Sequence, residues 1–209
     1  MMWNDCYKIS NIEKYPLPDK RDIDTAMDSW ITHEFNTQWE QQDWKLSLSR
    51  AGHIPGAGML NIDTPSKNIL FTGDFDSRDS PLTSGAKPIK TDVLFIEGTY
   101  GGKDHANQTE ELTRFIDNII RVTDKGGTVL IPAFANGRTQ DMLMRLHQNC
   151  PELDVHVDGM GKRITKLYLE NTQFIKDPKA LNSAWNWCRR VASKLSLIHI
   201  SEPTRLSWI

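Results

Sequence analysis

The sequence lacks most features that would fix its class at once. It has no run of about 18 apolar residues, so nothing in it reads as a membrane-spanning helix. A basic excess is missing too: 25 Lys and Arg stand against 27 Asp and Glu, a formal charge of −2. That balance excludes a protein that coats nucleic acid by charge alone, though not a nuclease with a local basic groove. Only three cysteines occur, Cys6, Cys150 and Cys188, far apart and odd in number. They form neither a disulfide framework nor a CxxC metal site. Cys150 and Cys188 read as small buried hydrophobes, and a reducing cytoplasm is the expected location. The start, Met1-Met2-Trp3-Asn4-Asp5, has neither the basic region nor the apolar stretch of a signal peptide. There is no internal repeat and no H-x-H pair, so a local zinc clamp is absent from the sequence.

What is present begins weakly and then sharpens. Residues 1–44 read as polar and irregular, with a short helix expected over Asp24 to Phe35. From Trp44 onward Leu46 and Leu48 alternate with Lys45, Ser47 and Ser49, the period of a half-buried strand. Gly52, Pro55, Gly56 and Gly58 then interrupt regular structure around His53. Met59–Asp63 and Asn68–Thr72 read as further strands, separated by a Thr64-Pro65-Ser66 turn, in a mixed or antiparallel sheet. Val93–Ile96 is a continuous apolar run, the pattern of a strand buried on both faces.

Beyond it, Asn107 and Glu110 resemble a capping box, and Leu112, Phe115, Ile116, Ile119 and Ile120 follow at helical spacing. Gly126-Gly127 ends that helix, and Thr128–Ile131 reads as another buried strand. Arg138–Asn149 is a second helix, with Met142, Leu143 and Leu146 inward. Val155–Val157 is a strand and Lys162–Glu170 a third helix. The second half thus alternates strand and helix, the signature of an α/β sandwich.

Four places carry residue types suited to chemistry. His53 sits in a glycine-rich loop after a strand, either facing a cleft or capping a turn. Asp74 ends a strand after Gly73, as a site carboxylate or an Asx turn. Glu97 leaves the apolar strand just before Gly98-Thr99-Tyr100-Gly101, as a site carboxylate or a cap for that loop. Pro132–Gln140 joins a strand end to a helix start, where backbone N–H groups and Arg138 suit an anion; a structural loop is the alternative. His33, His105, His147 and His156 stand alone. Trp185 and Trp187 beside Arg189 and Arg190 fit a buried pair on an amphipathic helix better than a base-stacking surface.

Taken in order, the segments Ala51–Ala57, Phe71–Phe75, Leu94–Gly101, Ile131–Gln140 and Asp158–Met160 resemble the β-CASP branch of the metallo-β-lactamase superfamily. The resemblance covers roughly residues 44 to 194. It implies an α/β fold: a partial αββα sandwich over residues 1–104 and the start of a β-CASP domain over 105–194. It also implies two zinc ions and hydrolysis of an RNA phosphodiester by a metal-bound hydroxide. By that resemblance His53 is a zinc ligand and Asp74 bridges both ions. Glu97 orients a general-acid histidine, and Arg138 helps bind phosphate.

The family's upstream H-x-H-x-D-H is missing, and its later histidine motifs would follow residue 194. The chain is therefore expected to be an internal fragment, inactive alone. Residues 195–209 resemble translated adapter sequence and are expected to lie outside the fold. RNA is the expected partner, with a homodimer or a processing complex as the assembly. Rival readings are a catalytically inactive scaffold, a DNA-processing nuclease, or a small-molecule hydrolase of the same superfamily. The choice between endonuclease and 5′-exonuclease stays open.

Overall fold

The computed structural model describes residues 20–190. Cys6 and residues 195–209, on which the sequence carries expectations, lie outside them. Two compact units divide the chain: Phe35–Ala192 forms the larger, and residues 20–34 are the described part of the other. Within the smaller unit, Lys20–Asp28 forms helix α1, earlier in the chain than the expected Asp24–Phe35. The helix stops because the Ser29 hydroxyl turns back to the Ala26 carbonyl at 2.8 Å and takes up a last-turn acceptor.

The larger unit opens with a five-stranded sheet in sequential order. Its strands are β1 (Gln38–Gln41), β2 (Trp44–Arg50), β3 (Gly58–Asp63), β4 (Asn68–Phe71) and β5 (Val93–Phe95). Hairpins make β1 to β4 antiparallel, and β5 returns parallel to β4. The β2–β3 register places Leu46 opposite Ile62 and Leu48 opposite Leu60, so the apolar alternation falls on one face. Between β3 and β4 the Thr64 hydroxyl accepts the Lys67 N–H at 3.0 Å and donates to its carbonyl at 2.8 Å. That closes the expected turn. Ala51, Met59 and Leu70 form the small core beneath the sheet.

Two strand expectations are corrected. β5 is an edge strand rather than a doubly buried one: Leu94 is 48% exposed, Phe95 51% and Ile96 57%. An apolar run signals burial only where both neighbours exist, and among the described residues β5 has a partner on one side alone. Thr128–Ile131 joins no ladder. Its alternation survives, since Val129 and Ile131 pack on the Ile116–Ile119–Leu146 cluster while Leu130 is 91% exposed. The expected alternation of strand and helix is therefore incomplete. β1 gives no strand signal in the sequence for the opposite reason: Gln-Trp-Glu-Gln is short, polar and at the edge.

The helical half matches more closely. α2 (Gln108–Thr123) is capped by the Asn107 side chain, which accepts the N–H groups of Thr109 and Glu110 at 2.9 and 3.4 Å. α3 (Arg138–Asn149) buries Leu143 and Leu146, with Met142 packed at the margin. α4 (Gly161–Glu170) and α5 (Pro178–Trp187) follow, with a 3-10 turn at Thr172–Phe174 between them. Asp177 caps α5 through the Ala180 N–H at 2.9 Å, and Pro178 sits in the first turn where it sacrifices no bond. A two-residue parallel pair, β6 (His156–Val157) with β7 (Arg189–Arg190), closes the unit.

Leu143, Met144, Tyr168, Leu181, Ala184 and Trp185 make the main helical core. Cys150 and Cys188 are buried in these cores as expected, and burial raises both thiols above their ordinary range. Trp185 is buried, with the Arg190 guanidinium 5.1 Å from its ring, and Trp187 donates to the Pro151 carbonyl at 2.8 Å. Among the described residues no helix is long and apolar enough to cross a membrane.

Candidate functional site

Two loops that are distant in sequence meet beside the sheet. The first runs from the end of β2 through Gly52 and His53 to Ala57. It is held to the 76–86 loop by two bonds: the Asp76 N–H donates to the Ala51 carbonyl at 2.9 Å, and the Thr83 hydroxyl donates to the Gly52 carbonyl at 2.8 Å. Gly52 has φ +73, and a Cβ there would stand 2.3 Å from the Asp76 carbonyl oxygen, so only glycine fits. The second is the Ala135–Gly137 turn that starts α3. A small cleft of about 60 Å³ lies where they meet, lined by His53, Asp76, Arg78, Arg138, Asp141 and Arg145 among others.

Its charges are arranged in pairs with one remainder. Arg78 grips Asp76 bidentately, Nε to Oδ1 at 3.0 Å and Nη2 to Oδ2 at 2.9 Å. Burial opposes ionisation of Asp76, yet Arg78, with a smaller contribution from Arg138, holds its carboxyl below the usual carboxylate range. Arg145 Nε meets Asp141 Oδ2 at 2.7 Å within α3. Asp141 Oδ1 is buried without a hydrogen-bond partner among the described residues. Asp79, on the rim, is taken by Lys176 at 2.8 Å. Arg138 is exposed and is the cleft cation that no carboxylate grips among the described residues.

The expected site residues are only partly brought together. His53 and Arg138 share the cleft; Asp74 and Glu97 do not line it. Asp74 is exposed in the bend after Gly73. Glu97 accepts the Phe75 N–H at 3.1 Å, so it clasps the backbone beside Asp74, and its own N–H reaches the Thr72 hydroxyl at 3.3 Å. The Thr99 side chain, the Phe75 N–H and the imidazole of His53 together hold the Glu97 carboxyl below its ordinary range. Among the described residues no group of three or more His, Cys, Asp or Glu side chains converges as a metal site would require. His105, His147 and His156 do not line the cleft.

Gln140 and Arg78 carry the arrangement as much as the expected residues, and neither was singled out from the sequence. Gln140 looks like any helix-surface residue, and Arg78 like loop solvation. A larger cavity of about 250 Å³ also borders the His53 loop, lined by Arg50, Ile54, Phe174 and Lys176 among others. Its cations are already paired: Arg50 with the Gln173 carbonyl at 2.8 Å, Lys176 with Asp79.

Comparison with known proteins gives the site its context. No family model matches the chain. The Probable RNase MJ4 of Methanocaldococcus jannaschii is 32% identical over 190 residues, 88% of this chain and 44% of that protein. Cleavage and polyadenylation specificity factor subunit 3 of Dictyostelium discoideum is 36% identical over 152 residues, 71% of this chain and 20% of that protein. Endoribonuclease ysh1 of Schizosaccharomyces pombe is 33% identical over 148 residues, 69% of this chain and 20% of that protein.

Over most of its length the chain is similar to RNA-processing nucleases of the β-CASP branch of the metallo-β-lactamase superfamily. The chain spans less than half the length of each of these relatives. Its mixture of helices and sheet is of the α/β class, as the resemblance implied.

Proposed function

We propose that this chain carries part of the working face of a zinc-dependent ribonuclease of RNA processing or decay, and that the cleft between the His53 loop and the start of α3 takes an RNA phosphate. The relatives named as RNases support hydrolysis of RNA as the parent activity. A relative named for cleavage and polyadenylation supports a processing complex as its setting. In this reading residues up to about 104 belong to the lactamase-like domain and 105–194 open the β-CASP domain.

One observation carries the phosphate assignment: Arg138 lies in the cleft with His53 while Arg78 and Arg145 are each neutralised by an aspartate. The remaining guanidinium is free to pair bidentately with a phosphate, next to backbone N–H groups of a helix start. Glu97, by holding the Phe75 N–H, fixes the turn that presents Asp74. Zinc is the family's usual ion, with His53 and Asp74 as the ligands this chain would supply. The described residues do not complete a donor set around those two, so the chemistry assigned to this chain stops at binding and orientation.

Binding of a labelled single-stranded RNA to the full chain, followed by anisotropy across a salt series, tests the reading. Arg138→Ala is expected to weaken binding about tenfold. The slope of log K against log salt should fall by about 0.7, the loss of one phosphate contact on a single strand. Unchanged affinity and slope would remove the cleft from the RNA path.

A further inference from the structure

We propose that Gln140 is a positioning residue: its buried amide sets the Gly137–Arg138 turn against Ile54 and so keeps Arg138 and His53 on one cleft. The inference rests on the RNA-binding reading of that cleft, and it extends to a residue with no exposed surface.

The Gln140 side chain is 0% exposed although it belongs to the first turn of α3. Its Oε1 accepts the Gly137 N–H at 2.9 Å. Its Nε2 faces three acceptors: the Ala135 carbonyl at 3.0 Å, the Gly161 carbonyl at 3.2 Å and the Thr165 hydroxyl at 2.9 Å. Two N–H groups thus serve three oxygens, and no atom of the amide is idle. The Thr165 hydroxyl spends its own proton on the Gly161 carbonyl at 2.7 Å, which leaves its lone pairs toward Gln140. Since Gly137 offers a donor and the other three offer acceptors, only one orientation of the amide satisfies the site.

A residue needed only for volume would be apolar here. A fully satisfied buried amide instead specifies geometry, because every shift of the turn breaks a bond in a dry environment. The geometry it specifies is the approach of the two loops. Gly137 has φ +84, and a Cβ on it would lie 2.5 Å from Ile54 Cγ2, so this turn is seated directly on the neighbour of His53. Arg138 follows at once, and Asp141 and Arg145 continue down the same helix into the cleft. Asn136 adds a second tie to α4 through a bond from the Tyr168 hydroxyl, whose pKa burial pushes up to about 12. Gln140 therefore links three elements: the turn before α3, α3 itself, and α4.

The test is a double-mutant cycle on the full chain with a labelled single-stranded RNA. Gln140→Met keeps length and volume but removes every hydrogen bond of the amide. It is expected to weaken RNA binding about tenfold. Combined with Arg138→Ala, it should weaken binding no further than Arg138→Ala alone, because both remove the same contact. Independent, multiplying effects, or wild-type affinity in Gln140→Met, would overturn the proposal.

A second measurement reads the turn without RNA. Trypsin cleavage after Arg138, taken relative to cleavage after the exposed Arg121 of α2, should rise about tenfold in Gln140→Met as the turn opens locally. General destabilisation would raise both sites together, and an unchanged ratio counts against the inference. If Arg138→Ala leaves RNA binding intact, the RNA reading fails, and the trypsin ratio alone decides the positioning role. Thr165→Val removes one partner of Gln140 at nearly constant shape. It should shift both readouts in the same direction by less, and it decides the question should Gln140→Met not fold.

Discussion

The carboxylate of Glu97 holds its place by accepting hydrogen bonds from Thr99 and from the Phe75 N–H, with His53 adding to the attraction. Each of these favours the ionised form, so the folded-state pKa lies below the unfolded value. The stabilisation is then complete above the unfolded pKa and is lost as pH falls through the folded one. Urea midpoints should therefore drop more steeply between about pH 5 and pH 3 in the wild type than in Glu97→Gln, given an unfolded Glu pKa near 4.3. Parallel acid limbs in the two proteins would show that Glu97 carries no net stabilising charge. Because the group is only half-buried, the difference is one of slope rather than of a large stability change. The same residue shows what was legible at this scale. A glutamate leaving a strand before glycines signals a site carboxylate or a cap for that glycine loop, and the structure adds a bond to the Phe75 N–H beside Asp74. In the sequence Gln140 is only the end of the Pro132–Gln140 stretch, because the Gly161 and Thr165 bonds that tie it to α4 are tertiary and no local pattern reports them.

Elements with local signals were read nearly to the residue. α3 opens at Arg138 and ends at Asn149 as expected, since its apolar spacing, its Gly137 start and its Pro151 stop are all near-neighbour features. Elements whose state depends on a neighbour were misread. β5 and Thr128–Ile131 have the apolar content of buried strands, but among the described residues each lacks a flanking strand on at least one side. The consequence for β5 is an open row of backbone donors and acceptors beside the exposed Leu94, Phe95 and Ile96. Leu94→Lys is accordingly expected to raise the concentration at which the chain stays monodisperse in light scattering. Its unfolding free energy should change by less than about 0.5 kcal/mol, as at an ordinary surface position. Equal aggregation in both proteins would place the sticky surface elsewhere.

At the scale of the whole molecule the question is how much of a metal centre this chain holds by itself. A stable zinc site takes three or four protein donors per ion, and partners that orient those donors strengthen it further. The described residues bring His53 beside Arg138 and leave Asp74 exposed, with no third His, Cys, Asp or Glu converging on either. Two donors without a closing set bind zinc weakly, so thermal unfolding at about 100 µM zinc should show a stabilisation below about 0.5 kcal/mol, the value for a site no more than half filled. A site filled at a hundredfold excess over its Kd would instead give about 2.7 kcal/mol. Elemental analysis after gel filtration should find well under one zinc per chain, and EDTA should leave the unfolding curve in place. Two tightly held ions with a curve that collapses in EDTA would mean that donors from residues 1–19 or 191–209, where Cys6 and His199 lie, complete the set. Cys6→Ser and His199→Ala would then each lower the stoichiometry, whereas Arg138→Ala, which touches only the phosphate-binding side of the cleft, would not.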